Sequence, residues 1–140
     1  MFNAQRVEQK QDKQPTSNFL MTINTNNSSL EHRDKVDFVT KTILNHFDKF
    51  LIPKQEAYGI KLENNIISTK VKYSIEQNSL GAFHSHSLIE IKQKKGYYHV
   101  NLPKLREALY SQFGYNPHLD IKYYKNSSEA VEAYISKKQR

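Results

Sequence analysis

The sequence predicts an α+β fold of the ferredoxin-like or RRM-like kind: a central, largely antiparallel sheet with flanking helices. Three observations predict it. Segments in which apolar and polar residues alternate are interspersed with segments whose apolar residues recur at steps of three and four. Their order is strand, helix, strand, strand, helix, strand, helix, which is βαββαβ with an added C-terminal helix. The chain has 140 residues, room for one compact domain and little more.

Residues 1–17 are rich in Gln, Lys and Asp and lack apolar periodicity, so they read as a flexible polar leader before a domain at 18–140. From Asn18 to Asn24, Phe19, Met21 and Ile23 alternate with Leu20, Thr22 and Asn24, a strand pattern. Ser28 and Glu31 have capping-box spacing and predict a helix start. Val36, Val39, Ile43, Phe47 and Phe50 form one apolar helix stripe that ends before Pro53. Residues 53–65 read as a loop, with a short strand near Tyr58 to Leu62.

Ile66 to Glu76 is the next expected strand, with Val71, Tyr73 and Ile75 on one face and Lys70, Lys72, Ser74 and Glu76 on the other. Gln77 to Gly81 supplies a turn and Ala82 to Lys92 the returning strand of an antiparallel hairpin. Asn101 is placed to cap a helix that turns Leu105, Ala108 and Leu109 inward and stops near Gly114. His118 to Tyr124 is the last strand, and Asn126 with Glu129 caps a final helix through Lys138.

Composition bounds the function. Hydrophobic residues make up 37% and aromatic residues 11%, too much for a wholly disordered chain. Lys and Arg total 21 against 14 Asp and Glu, a formal charge of +7, which favours polyanionic partners such as nucleic acid. There is no cysteine, so disulfides and thiolate metal sites are excluded and any transition-metal site must use His and carboxylates. No apolar run approaches the ~20 residues that span a bilayer. The N-terminus lacks the apolar core of a signal peptide, so an intracellular location is expected.

The chemistry concentrates on a few residues. His84-Ser85-His86 is an H-x-H on an expected strand, and alternation turns both imidazoles to one face, where they can share a metal ion. Phe83, Ile89 and Ile91 turn the other way. Glu76, eight residues earlier on the partner strand, can come beside the imidazoles if the hairpin folds at the intervening turn. Two His and one carboxylate leave coordination positions open for substrate oxygens, and the set suits Mn²⁺ or Mg²⁺, with Zn²⁺ or Ni²⁺ as inhibitory occupants. On the last helix Tyr134 and Lys137 lie three apart and nearly on one side. Val131 and Ile135 form a separate apolar pair able to dock the helix, leaving Tyr134 at the edge of the docked face. A tyrosine hydroxyl can attack phosphorus, and a lysine ammonium can offset the charge that develops on the phosphate.

With these residues in hand, the chain resembles the HUH endonuclease superfamily, in particular the Rep proteins that initiate rolling-circle replication in small circular single-stranded DNA viruses and plasmids. Met21-Thr22-Ile23-Asn24-Thr25 is similar to the first Rep motif, which contributes to DNA recognition. His84-Ser85-His86, followed by Leu88 and Ile89, is similar to the second, metal-binding motif; many viral Reps keep one His and a Gln there. Tyr134-Ile135-Ser136-Lys137 resembles the third, Y-x-x-K. Glu76 stands where Reps carry an acidic metal ligand. The resemblance covers residues 18 to 138.

The resemblance implies the HUH endonuclease fold and a mechanism. Glu76, His84 and His86 would hold Mn²⁺ or Mg²⁺. Tyr134 would attack a scissile phosphate in single-stranded DNA, leaving a 5′-phosphotyrosine and a free 3′-hydroxyl, with Lys137 balancing charge. Thr22 and Asn24 would contact DNA. The partner implied is a replication origin, a stem-loop being one form of it, together with a helicase domain or partner. The location implied is a host nucleus for a eukaryotic DNA virus and the cytoplasm otherwise. No helicase motifs follow Lys137, so an excised nuclease domain and a stand-alone form both stay open. Two alternatives stand beside this reading: a single-tyrosine HUH transposase, and a non-enzymatic nucleic-acid-binding module of ferredoxin-like fold.

Overall fold

A computed structural model describes residues 14–26 and 29–138. Its elements are β1 (Thr16–Asn24), α1 (Leu30–Asn45), β2 (Leu51–Lys54), a single helical turn α2 (Leu62–Asn65), β3 (Ile66–Gln77), β4 (Phe83–Gln93), β5 (Tyr97–Val100), α3 (Leu102–Phe113), β6 (His118–Tyr124) and α4 (Ser127–Lys138). Four strands form the main sheet in the order β3-β4-β1-β6, each neighbouring pair antiparallel. This is the ferredoxin-like arrangement expected from the sequence. β2 and β5 pair separately.

Period-two alternation gives this sheet two covered faces. Phe19, Met21, Ile23, Ile89 and Ile91 point to one side, where Val36, Val39 and Ile43 of α1 and Leu105 and Leu109 of α3 bury them. The opposite face carries a smaller cluster, in which Ala130 and Tyr134 of α4 cover Leu20 and Leu88. Burying such side chains contributes roughly 1.5–3 kcal/mol each before entropy is counted, so both layers resist displacement. α4 is thereby fixed above the face that carries Glu76, His84 and His86.

Several boundaries differ from expectation. β1 begins at Thr16, because Thr16 and Ser17 already pair with Lys92 and Ile91; the part of the leader at 1–13 lies outside the described residues. Ser28 also lies outside them, and the cap of α1 belongs to Ser29, whose Oγ accepts from the His32 N–H at 3.2 Å. α1 stops at Asn45, and Phe47 and Phe50 reach the core from a 3₁₀ turn. Pro53 then lies inside β2 rather than in a loop, paired with Tyr98, a position open to proline because a two-stranded ribbon is all edge. No strand forms at 58–62; 58–60 is a turn between a 3₁₀ turn (Gln55–Ala57) and α2. The caps expected at Asn101 and Asn126 are present, accepting from the Lys104 N–H at 3.2 Å and the Glu129 N–H at 2.9 Å. α4 docks through Ala130 and Tyr134, with Val131 beside them; Ile135 is 48% exposed, so the expected Val131–Ile135 docking pair is not the one used.

Candidate metal centre

The β3–β4 hairpin builds the centre. Its register sets Glu76 opposite His84 and Ser74 opposite His86. The turn that holds this register is stapled by Asn78, whose Oδ1 accepts from the Leu80 and Ala82 N–H groups at 2.9 and 3.0 Å. Glu76 Oε2 lies 3.2 Å from His86 Nε2 and 3.6 Å from His84 Nε2. The two imidazoles stand edge to face, with centroids 4.7 Å apart. One ligand atom from each of the three residues falls within 4.8 Å of the others.

Strand β1 closes the centre from the other side. Thr22 lies opposite His86 and Asn24 opposite His84. Thr22 is buried, its Oγ1 3.1 Å from His86 Nδ1. The Lys137 ammonium reaches down from α4 and donates to the same oxygen at 3.4 Å. Glu76, His84, His86, Thr22, Asn24 and Lys137 therefore share one cleft of about 630 Å³, with Gln77, Asn78 and Ser79 of the hairpin turn at its rim.

The residues fit a divalent ion. Both imidazoles present Nε2 toward one carboxylate oxygen, a mixed nitrogen and oxygen donor set. His84 Nδ1 and Asn24 Oδ1 are buried without hydrogen-bond partners in the described structure, and they belong to residues directly opposite one another. Were His84 to hold an ion through Nε2, its Nδ1–H would need an acceptor, and the residue opposite, Asn24, carries a buried oxygen without a hydrogen bond.

Tyr134 lies one step away from this group. It is 5% exposed, packs with Leu20 and Leu88, and lines a separate cleft with Lys72, Val131 and Ile135. Leu88 follows His86 by two residues on β4, so the tyrosine covers the next row of the same sheet face. Six of the seven expected site residues converge on one cleft; Tyr134 neighbours it. The role of Thr22 against His86 was missed, because only the β1–β4 register reveals it. The hairpin-turn residues at the rim were missed too, and their nearness to H-x-H in sequence was the available signal.

No protein-family model matches the chain, and no curated protein matches it. No helix among the described residues is long and apolar enough to cross a membrane.

Proposed function

We propose that the chain is a metal-dependent nuclease of the HUH type, which nicks and rejoins single-stranded DNA through Tyr134 in the manner of a Rep initiator. The observation that carries this reading is the meeting of Glu76, His84 and His86 at one end of the sheet, beneath the helix that bears Tyr134 and Lys137. The donor set favours Mn²⁺, since two imidazoles are poor partners for Mg²⁺. Once bound, such an ion polarises a phosphate by Lewis-acid action.

Tyr134 Oη attacks phosphorus and the P–O3′ bond breaks. The products are a 5′-phosphotyrosine and a 3′-hydroxyl, which takes up a proton as the phenol loses its own. Attack of a 3′-hydroxyl on the phosphotyrosine reverses the step and reseals a strand. Lys137 balances charge on the phosphate, and Asn24 borders the bound strand. The excess of positive charge draws in the polyanion. An origin as target, a stem-loop form of it and a helicase partner belong to the same reading.

A second reading, the single-tyrosine transposase with sites shared between copies, draws on the fact that Tyr134 does not line the metal cleft. One experiment separates them. The protein is incubated with Mn²⁺ and a randomised pool of single-stranded oligonucleotides, beside Tyr134→Phe, His86→Ala and an EDTA control, and run on a denaturing gel. A covalent adduct that needs both Tyr134 and metal supports the nuclease. Adduct recovered by mixing the two inactive variants supports sharing between copies. A folded protein that forms no adduct from a deep pool defeats both.

A further inference from the structure

A second groove lies at the other end of the main sheet. It is lined by Asn18 and Phe19 of β1, Tyr97 and His99 of β5, and Tyr123 and Lys125 at the end of β6. Asn18 and Asn24 are six residues apart on one strand, so the groove stands about 20 Å from the metal centre.

Its aromatic rings form a continuous ladder. Tyr97 and His99 have centroids 5.2 Å apart, His99 and Tyr123 4.8 Å apart, and Tyr123 rests edge-on against the buried Phe19 at 5.3 Å. Tyr123 is 45% exposed, yet it is held: its hydroxyl accepts from the Val100 N–H at 3.1 Å. Burial, with the nearby Lys54 ammonium adding to it, pushes the His99 imidazole below its ordinary value. Lys54 stands near one side of the ladder and the exposed Lys125 at the groove itself.

We propose that this groove is a stacking platform for the bases of single-stranded nucleic acid, a contact point remote from the metal centre. Fixed, partly exposed rings supply faces on which any base can stack, and flanking ammonium groups hold the backbone. An aromatic groove of this kind could also take a proline-rich peptide. The two lysines and the formal charge of +7 favour the polyanion. The inference rests on the nucleic-acid part of the function proposed above, and not on its metal chemistry.

The test uses a fluorescein-labelled oligothymidylate of about 15 nucleotides, titrated by anisotropy in EDTA so that no cleavage intervenes. Tyr97→Ala should weaken binding about tenfold or more. Lys125→Ala, at an exposed site that does not threaten folding, should weaken it and lower the salt dependence by about one counterion. Both variants should keep the wild-type affinity for Mn²⁺, which shows that the metal centre is intact. Photocrosslinking with 5-iodouracil oligonucleotides should label peptides containing Tyr97 or Tyr123. Unchanged DNA affinity in both variants, or binding of a proline-rich peptide that Tyr97→Ala alone abolishes, would overturn the inference. In that case metal-dependent adduct formation would still stand, so the two proposals fail separately.

Discussion

Thr22 Oγ1 lies 3.1 Å from Nδ1 of His86, across the β1–β4 strand pair. This contact occupies Nδ1 and leaves Nε2 as the nitrogen that faces Glu76. Binding through Nε2 requires the proton to sit on Nδ1, and Thr22 is the acceptor waiting there. Lys137 donates to the same hydroxyl oxygen at 3.4 Å, so one hydroxyl joins the imidazole to the ammonium.

Thr22→Val keeps the shape and removes the acceptor. Affinity for Mn²⁺ should fall by about 10–100-fold, the usual effect of losing an outer-shell partner. Thr22→Ser should restore most of it. Isothermal titration calorimetry measures both, and an unaltered affinity in the valine variant would deny Thr22 any part in orienting the ring.

Removal of a ligand should cost more than removal of its support. His86→Ala and Glu76→Gln are each expected to lower Mn²⁺ affinity beyond the ~100-fold limit of outer-shell changes. Lys137→Ala should leave the metal affinity within a few-fold of wild type while slowing adduct formation by about 10²-fold, the scale of losing one charge-stabilising donor. Calorimetry paired with single-turnover gels separates the two effects.

Acid should weaken the fold through His32. This side chain is buried, and its Nε2 lies 2.7 Å from the hydroxyl of Tyr115, whose ring stacks on it. Burial, with the Lys35 ammonium adding to it, pushes the imidazole below its ordinary value of 6.5. Above 6.5 both folded and unfolded states carry neutral imidazole. As pH falls through that value the unfolded chain takes up a proton first, and stability is lost until pH passes the lower folded value. The melting temperature in EDTA should therefore drop as pH falls through and below 6.5, and His32→Phe should flatten that drop by a few degrees. Parallel curves for the two proteins would rule the residue out.

Two glycines should respond differently to alanine. Gly96 has a φ of +62°, and a Cβ there would lie 2.6 Å from Lys54 O and 2.8 Å from Ala57 Cβ. Gly59 has a φ of +77° and nothing within 4 Å of such a Cβ. Gly59→Ala should cost about 1–2 kcal/mol, the left-handed penalty alone. Gly96→Ala should cost about 3 kcal/mol or more, because overpacking is added to strain. Urea unfolding midpoints measure the difference.

The hairpin and its ligands were legible because everything needed is local. Alternation in β3 and β4 orients Glu76, His84 and His86, and a short turn brings the two strands into register. The caps at Asn101 and Asn126 were legible for the same reason. The ribbon of β2 and β5 was not: each strand has four residues, too few to show a period, and Pro53 reads as a stop signal. The docked face of α4 was misjudged because Val131 and Ile135 are the more apolar pair. The sheet offers Leu20 and Leu88 to the neighbouring stripe instead, and Ala130 allows the close approach that lets Tyr134 pack.

Sequence alone thus determined the order of the four main-sheet strands and the three long helices, the two faces of those strands and the three candidate ligands, since these follow from periodicity and short-range turns. Tertiary structure decided what those faces meet. Thr22 and His86 are more than sixty residues apart, and no local pattern states which strand pairs with which or in what register. That pairing, set by the burial of Phe19, Met21 and Ile23 against α1 and α3, turned two expected DNA-contact residues into neighbours of the histidines. It also brought the rings of β5 and β6 into a second groove.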